Sequence, residues 1–469
     1  MILLKNCFSI LAPEGKTLAG HDILIEGNRI ARVARGIAAR DSAEETEPGP
    51  GGKNRPGAGR ATEVIDCSRF VVVPGFVNTH HHFYQTLTRC LPAVQNAKLF
   101  TWLKYLYEVW KFIDEEAVYY SSLAAMGELL KTGCTCALNH HYLYRKGVSA
   151  DLVGVQLEAA SALGIRFCPC RGSMSLSVKD GGLPPDSVVQ DEGEILEDSA
   201  RVIEKYHDSS ELSMRRVFLA PCSPFSVSEG LMRETARLAR LHGVRLHTHL
   251  AETADEDEYC LGRHGKRPLS LMTDLGFVGE DVSFAHGIFF TDEDLRILAR
   301  TGTSIAHCPS SNMRLGSGIA RVKEMLVLGV NVGLAVDGSA SNDSGDFLGE
   351  MRAALLLQRV KYGADAITAK EVFRMASENG ARLLGYGKVG AVKKGWAADL
   401  ALFDVHRLEY AGALSDPVAA LLFAGFDHGA ACTVVDGRVV VRDGRLVGLD
   451  EDDIARRVNN LSRRLLTKT

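Results

Sequence analysis

The sequence predicts an α/β fold, a (β/α)8 TIM barrel with a small β-sandwich built from both ends of the chain. The middle of the chain alternates short apolar runs with longer amphipathic stretches, which is the order of strands and helices in a parallel α/β barrel. Both ends instead carry short apolar runs separated by Gly, Asn and Asp turns, a pattern typical of antiparallel strands. A length of 469 residues suits one large domain and a smaller one.

Eight apolar runs in the middle of the chain are the predicted barrel strands. They span residues 71–77, 134–140, 165–171, 216–222, 244–249, 282–286, 303–307 and 330–337. The amphipathic stretches between several of them predict helices at residues 151–163, 194–206, 230–241 and 292–300. Histidine or aspartate closes the fifth to eighth runs. The C-terminal ends of barrel strands meet at the mouth where such folds keep their active sites.

The two flanking regions predict one shared sandwich. The strand-like runs are residues 2–10, 22–26, 29–33, 398–403 and 431–442, with Gly27-Asn28 and Asp436-Gly437 as turns. Neither flank can bury a core alone, so we expect the two to pair.

The domain bounds follow from this division. We predict residues 1–70 and 388–449 as the sandwich, 71–387 as the barrel and 450–469 as a C-terminal helix. Residues 36–62 are rich in Gly, Pro, Glu and Ala, and they predict a solvated loop inside the first sandwich part.

The composition excludes several classes of protein. Hydrophobic residues make up 46% and charged residues 24%, with a net charge of −4, which is the profile of a soluble globular protein. There is no long basic run, so a nucleic-acid polymer is a poor partner. No apolar segment reaches the roughly 20 residues that span a bilayer, and no signal peptide is evident, so we expect no membrane association and a cytoplasmic location. The 11 cysteines should then be reduced, small buried side chains.

The run Asn78-Thr79-His80-His81-His82 follows the first predicted barrel strand. Residues i and i+2 of an extended chain face the same side, so His80 and His82 point together. Two imidazoles on one face at the catalytic end of a barrel are half of a metal site. Taken alone, they fit a polar surface loop equally well.

Three further strand ends favour the metal site. His249 closes the fifth run with Glu252 just beyond it, His286 closes the sixth, and Asp337 closes the eighth. A single such residue is usually a hydrogen-bonded core group. Side chains of these types at the ends of four separate strands are hard to explain by structure alone and predict a catalytic centre.

These motifs resemble the amidohydrolase superfamily, in its mononuclear deaminase branch. The shared pattern is His-x-His after strand one, His-Leu-Ala-Glu at strand five, Ala-His-Gly at strand six and Asp-Gly at strand eight. The resemblance covers nearly the whole chain, including residues 390–400 at the return to the sandwich. Within this branch the chain resembles 8-oxoguanine deaminases, over residues 78–89, 140–144, 171–176, 180–185, 220–227, 307–315 and 337–343. Hydroxydechloroatrazine ethylaminohydrolases are also very similar.

The resemblance implies a metal-assisted hydrolysis. The implied ligands of one Zn²⁺ ion per chain, with Fe²⁺ as the alternative, are His80, His82, His249 and Asp337. Asp337 would also take a proton from the attacking water, Glu252 would carry protons to the ring and the leaving amine, and His286 would stabilise the developing charge. Binuclear members carry a carboxylated lysine on strand four, and residues 216–222 contain no lysine, so we expect a single metal ion.

Substrate contacts are predicted after strands one to three, because flat heterocycles suit aromatic walls with a few polar donors. The predicted contacts are Gln85, Tyr142, Trp102 and Arg171. Trp110 is expected to pack in the core, and Asn312 to stabilise the loop after strand seven.

The leading hypothesis is a small-molecule deaminase that converts 8-oxoguanine to urate and ammonia. An s-triazine or pterin aminohydrolase would use the same site. An inactive metal-binding scaffold is disfavoured because Glu252 and all four ligands are present. We also expect a homo-oligomer, most simply a dimer.

Overall fold

A closed barrel of eight parallel strands forms the centre of the computed structural model, which describes residues 1–38, 62–145 and 151–468. The predicted barrel is therefore confirmed. Of the predicted loop at 36–62, residues 39–61 lie outside the described residues. The predicted domain bounds stay a prediction.

The strands fall into three groups along the chain. Before the barrel lie β1 (Ile2–Cys7), β2 (Ser9–Leu11), β3 (Thr17–Leu18), β4 (His21–Glu26), β5 (Arg29–Ala34), β6 (Glu63–Asp66) and β7 (Phe70–Pro74). The barrel consists of β8 (Phe76–Asn78), β9 (Cys134–His141), β10 (Arg166–Ser173), β11 (Phe218–Pro221), β12 (Arg245–Leu250), β13 (Val282–His286), β14 (Ser304–His307) and β15 (Val332–Leu334). After it come β16 (Leu400–Asp404), β17 (Cys432–Val435), β18 (Arg438–Arg442) and β19 (Arg445–Leu446).

Helices surround the barrel, and the four predicted between strands are present. They are α1 (Leu99–Trp110), α2 (Glu115–Lys131), α3 (Leu152–Leu163), α4 (Glu192–Tyr206), α5 (Glu229–His242), α6 (Ala254–His264), α7 (Pro268–Asp274), α8 (Asp292–Thr301), α9 (Pro309–Arg314), α10 (Val322–Val327), α11 (Phe347–Tyr362), α12 (Ala369–Arg374), α13 (Gly380–Leu383), α14 (Pro417–Phe423) and α15 (Glu451–Leu466). Their starts follow local chemistry: Thr291 and Asp294 form a capping box at α8, for example. None of the described helices is long and apolar enough to cross a membrane.

The predicted first barrel strand, residues 71–77, is wrong as a single element. The chain forms β7, which pairs antiparallel with β16 in the sandwich, and then β8, which enters the barrel. The switch occurs at Gly75, where a Cβ atom would lie 2.2 Å from Thr135 Oγ1. The predicted strand at residues 2–10 likewise divides into β1 and β2, which belong to different sheets.

The sandwich uses both ends of the chain, as predicted. One sheet has the order β5-β4-β1-β6, and the other has the order β19-β18-β17-β16-β7-β2-β3. Leu4 and Ile23 from the first sheet share a buried core with Val72, Leu400 and Val434 from the second. Burial of these side chains stabilises the pairing by about 1.5–3 kcal/mol for each fully buried one.

A buried ion pair joins the barrel to the sandwich. Arg166 at the start of β10 donates from Nε to Asp399 Oδ2 at 2.9 Å and from Nη2 to Oδ1 at 3.2 Å, and both side chains are fully buried. Asp399 Oδ1 also accepts the backbone N–H of Asp436, in the turn between β17 and β18. Ten of the 11 cysteines are buried, as expected, whereas Cys90 is exposed.

Asp399→Ala should lower the free energy of unfolding by about 3–5 kcal/mol, because it removes the carboxylate that binds the buried Arg166 guanidinium through two hydrogen bonds and leaves only the more distant Asp436, 3.5 Å from Nη2. Urea unfolding followed by circular dichroism measures the change. Glu63→Ala is the control, since the Glu63–Arg442 pair is exposed and should contribute about 0–1 kcal/mol. Similar losses in the two variants would contradict the assignment of this junction.

Candidate active site

The C-terminal ends of three barrel strands bring the four predicted metal ligands together. His80 and His82 follow β8, His249 lies near the end of β12, and Asp337 follows β15. His82 Nε2 lies 3.0 Å from His249 Nε2. Asp337 Oδ1 lies 3.3 Å from His80 Nε2 and 3.5 Å from His82 Nε2. All four side chains are buried.

Hydrogen bonds to the backbone fix which nitrogen of each ring faces the centre. His82 Nδ1 donates to the carbonyl of His140 at 2.7 Å, and His249 Nδ1 donates to the carbonyl of Cys222 at 2.6 Å. A carbonyl can only accept, so the hydrogen of each neutral ring lies on Nδ1. The two Nε2 atoms, 3.0 Å apart, then carry lone pairs that face each other.

A chain of hydrogen bonds orients His80 in the same way. Its Nδ1 lies 2.8 Å from His247 Nε2, and His247 Nδ1 lies 2.8 Å from Ser283 Oγ. With Nδ1 donating to His247, the His80 Nε2 lone pair also faces the centre, where it has no hydrogen-bond partner among the described residues. Such outer hydrogen bonds are what hold metal-ligating histidines in place.

These donors fit a divalent metal ion. Three neutral imidazole nitrogens and one carboxylate are a common ligand set for zinc, and metal–ligand distances near 2.0–2.1 Å place tetrahedral ligand atoms about 3.3 Å apart. The observed separations of 3.0, 3.3 and 3.5 Å bracket that value. Facing lone pairs repel each other unless a cation lies between them.

The protonation states suit the same role. Burial lowers the pKa of His80, His82 and His249, so the three rings stay neutral. Burial opposes ionisation of Asp337, but the neighbouring His80, His286 and His82 outweigh it and lower the pKa of the carboxyl well below its usual range.

His286 and Glu252 lie beside the ligand set. His286 Nε2 is 3.6 Å from Glu252 Oε2 and 3.9 Å from Asp337 Oδ2. On its other side, His286 Nδ1 donates to Asn312 Oδ1 at 2.9 Å. Burial lowers the pKa of His286, but Glu252 and Asp337 more than offset this and raise it. Burial raises the pKa of Glu252 to about 7, the range in which a carboxyl both gives and takes protons at neutral pH.

A second carboxylate fixes the backbone that carries Glu252. Glu256, near the start of α6, accepts the backbone N–H of Ala251 with one oxygen and that of Glu252 with the other, each at 2.9 Å. Ala251 has φ 55°, a left-handed conformation that a non-glycine residue adopts at a cost of about 1–3 kcal/mol. His286 and Asp337 share this strain, with φ values of 72° and 64°.

A cavity of about 380 Å³ opens over these groups. Its lining includes three of the predicted substrate contacts, namely Gln85, Trp102 and Tyr142. Trp102 and Tyr107 both project from α1, and Trp102 Nε1 and Tyr107 Oη are buried without a hydrogen-bond partner among the described residues. The cavity therefore combines aromatic walls with unused polar groups, as small-molecule sites do.

Arg171 is the predicted contact that the structure does not place in this cavity. Its guanidinium donates to Asp198 Oδ2 at 2.7 Å and to Gln190 Oε1 at 3.0 Å. It also lies over the Tyr144 ring, 3.9 Å from the centroid. These contacts occupy the donors of the Arg171 guanidinium, so this side chain supports its neighbours and does not line the cavity. As expected, Trp110 packs in the core, where its Nε1 donates to Thr88 Oγ1 at 3.1 Å.

Several residues of the site were not predicted as site residues. His140 is the next-to-last residue of β9, and it belongs to a group of four histidines, with His80, His82 and His249, that could hold an ion. The second predicted run, residues 134–140, also ends in a histidine, so the argument from polar residues at strand ends would have identified His140 as well. His247 could also have been identified from the sequence, because it lies on the same face of its strand as His249. No sequence pattern identifies Asn312, Glu256 or Tyr107 as site residues, because their roles depend on contacts that form only in the folded chain.

Comparisons with known proteins agree with this geometry. The model of the Amidohydrolase family matches residues 71–440. An 8-oxoguanine deaminase of Pseudomonas aeruginosa is 44% identical over 95% of each chain, and a hydroxydechloroatrazine ethylaminohydrolase of Pseudomonas sp. strain ADP is 38% identical over 87% of this chain and 86% of its own. The crystal structure of an atrazine chlorohydrolase of Arthrobacter aurescens TC1 in complex with zinc superposes with a TM-score of 0.91, at 27% identity, over 98% of this chain and 100% of that chain.

His82→Ala should lower the affinity for a divalent metal ion by about 100-fold or more, because it removes a ligand and leaves the carbonyl of His140 without its donor. Metal retained after dialysis, measured by elemental analysis, reports the loss. His242→Ala, on α5 and not among the candidate ligands, is the control and should retain the ion. Equal metal content in the two variants would contradict the predicted ligand set.

Proposed function

Because the chain belongs to the amidohydrolase family, we propose that it is a metal-dependent hydrolase that deaminates a purine-like heterocycle. The specific reaction proposed is the conversion of 8-oxoguanine and water to urate and ammonia. The observation that carries the proposal is the position of Glu252, His286 and Asp337, which line one aromatic cavity beside the ligand set.

One Zn²⁺ ion per chain is proposed at His80, His82, His249 and Asp337. A divalent ion bound there lowers the pKa of a water molecule to about 7 and so supplies hydroxide at neutral pH. A single ion is proposed because β11 carries no lysine that could bridge two. His140 Nε2 donates to the carbonyl of Ala220 at 2.8 Å, so its Nδ1 lone pair faces the same space.

The proton transfers are assigned to two carboxyl groups. Asp337 is ionised and accepts the proton of the attacking water. Glu252, with its pKa raised to about 7 by burial, first protonates the ring nitrogen next to the attacked carbon. Having given up that proton, Glu252 takes the hydroxyl proton of the tetrahedral adduct and delivers it to the exocyclic amine, which leaves as ammonia. The proton held by Asp337 then returns Glu252 to its acid form. Such general acid–base assistance contributes about 10²–10⁴-fold in rate.

His286 stabilises the negative charge that develops during attack. Asn312 holds Nδ1, so Nε2 faces the space between Glu252 and Asp337. The raised pKa of the ring, caused by those two carboxylates against the effect of burial, keeps it a strong donor. A fixed donor in a buried site needs no reorganisation during the reaction.

The unused polar groups of the cavity support an oxidised purine as the substrate. Trp102 Nε1 can only donate and so needs an acceptor on the bound ring, whereas Tyr107 Oη can donate or accept. 8-Oxoguanine offers a carbonyl oxygen at position 8 in addition to the one at position 6. A substrate that left one of these donors unpaired would lose about 1–3 kcal/mol of binding.

An s-triazine or pterin aminohydrolase is the second candidate, because a ring carbon bearing an amine is all that the proton-transfer groups require. The identity to the hydroxydechloroatrazine ethylaminohydrolase favours the triazine of the two. An inactive scaffold has no support, since Glu252 and all four proposed ligands are present, and Glu252, His82, His249 and Asp337 line the cavity.

Glu252→Gln should lower kcat by about 10²-fold or more with metal content unchanged, because the amide cannot carry protons. Glu256→Gln should lower kcat by about tenfold, because an amide cannot accept both backbone N–H groups. In the Glu252→Gln background, Glu256→Gln should have almost no further effect, since it acts through Glu252.

Steady-state kinetics on the wild-type protein, the two single variants and the double variant tests this prediction. Glu258→Gln is the control, because Glu258 is an exposed residue of the same helix. Additive losses in the double variant would show that Glu256 acts elsewhere. Near-normal turnover of Glu252→Gln would move the proton transfer to another group.

The substrate assignment predicts a kcat/KM for 8-oxoguanine at least about tenfold above that for guanine. Guanine lacks the oxygen at position 8 and the proton on N7, and therefore leaves a buried donor or acceptor unpaired. Tyr107→Phe should lower the value for 8-oxoguanine by about tenfold and that for guanine by less. Tyr105→Phe, an exposed residue of the same helix, should change neither. Ammonia release is measured over purines, pterins and hydroxylated s-triazines, and a triazine or pterin preferred by a wide margin would rule out the 8-oxoguanine assignment.

A further inference from the structure

A separate cavity of about 480 Å³ lies at the opposite end of the barrel, where β11 and β12 begin. The polar side chains in its lining are those of His207, Ser209, Arg216 and Arg245, and the described lining contains no carboxylate. This is unusual in a chain with 54 basic and 58 acidic residues. This cavity lies at the other end of the strands from the candidate active site, and the two have no lining residue in common.

The two arginines have unused donors. Arg216 donates to the carbonyl of Gly385 and, from Nη2, to that of Ser210 at 2.9 Å, but its Nε is buried without a partner among the described residues. Arg245 donates from Nη1 to the carbonyl of Glu280 at 2.5 Å. The adjacent Asp281 is bound by Arg240 at 3.0 Å instead.

Both guanidinium groups approach the same point. A Cβ atom on Gly385 would lie 2.6 Å from Arg245 Nε and 3.1 Å from Arg216 Nη1, so only glycine fits between them. Burial lowers the pKa of Arg245 and of His207, and the charge of Arg216 adds to both effects, whereas the charges of Asp281 and Glu280 oppose the effect on Arg245. Two like charges held together in a half-buried cavity are unfavourable unless an anion neutralises them.

A larger groove elsewhere on the chain provides the contrast. It also contains basic side chains, but each has a carboxylate partner: Lys131 pairs with Glu451 at 2.6 Å and Arg407 with Asp427 at 2.8 Å, and Arg89 pairs with Glu128. In the part of the chain that the structure describes, the hydrogen-bond acceptors of Arg216 and Arg245 are backbone carbonyls, and Arg216 also lies over the Tyr386 ring, 4.0 Å from its centroid.

We propose that this cavity is an anion site that binds a tetrahedral oxyanion, such as phosphate or sulfate, between Arg216 and Arg245. Guanidinium groups suit this ligand because their planar donors match the spacing of its oxygens. His207 Nδ1 accepts the backbone N–H of Val217 at 3.2 Å, so the hydrogen of the neutral ring lies on Nε2 and is available to the anion. The Ser209 hydroxyl adds a fourth donor. The oxyanion is either free or the phosphate of a phosphomonoester.

Sulfate is the first probe, because it binds divalent metal ions weakly and leaves the ligand set undisturbed. In chloride-balanced buffers of equal ionic strength, sulfate in excess over its Kd should raise the Tm of the metal-loaded protein by about 2–4 °C. Arg216→Gln and Arg245→Gln should each weaken sulfate binding, measured by calorimetric titration, by about tenfold or more.

Arg215→Gln is the matched control, since it removes the same charge from the next, exposed residue, and it should keep the wild-type affinity. The Tm of each variant without sulfate shows whether it is folded. The proposal is overturned if sulfate does not stabilise the wild-type protein, or if folded Arg245→Gln binds it as tightly as Arg215→Gln does. A parallel titration with phosphate and adenosine monophosphate identifies the source, because an affinity for the monoester at least about tenfold higher points to a phosphomonoester.

Discussion

The candidate active site depends on one constraint, that several buried imidazoles keep their hydrogens on the nitrogen that faces away from the centre. His82 and His249 meet it by donating to carbonyls of neighbouring strands, and His80 by donating to His247. The acceptors belong to the barrel framework, so the direction of every lone pair is set by the pairing of the strands. Burial adds to this by keeping the rings neutral. A cation at this point is thus favoured by the fold itself, before any contribution from Asp337.

The same framework stores strain at the strand ends. Ala251, His286 and Asp337 all have left-handed backbone conformations that turn their side chains or those of their neighbours towards the cavity. Each is held by a specific partner: Glu256 binds the N–H of Ala251, Asn312 binds His286, and Ser341 donates to Asp337 Oδ2 at 3.2 Å. Glu256 and Asn312 lie outside the cavity lining, whereas Ser341 forms part of it.

The sequence was sufficient for the barrel, the sandwich and the position of the site, because strand and helix periodicity and polar strand ends are local signals. The sequence could not locate the boundary between two consecutive strands whose residues are equally apolar. All of residues 71–77 are apolar. The chain passes from one sheet to the other at Gly75, which packs closely against Thr135. Arg171 was assigned to the substrate because of its place at a strand end, whereas Asp198 and Gln190, which occupy it, lie far along the chain.

Chemistry and specificity reside on different elements of this molecule. The candidate ligands and proton-transfer groups lie at or just beyond strand ends, fixed by barrel hydrogen bonds, whereas Trp102 and Tyr107 project from α1, which is not part of the barrel wall. A change in α1 can therefore alter which ring is accepted without moving a ligand. Function in such folds varies through the segments that follow the strands. In the proposed function, the ligand set and the proton-transfer groups determine the reaction, whereas the proposed substrate contacts are Trp102 and Tyr107 of α1 together with Gln85 and Tyr142.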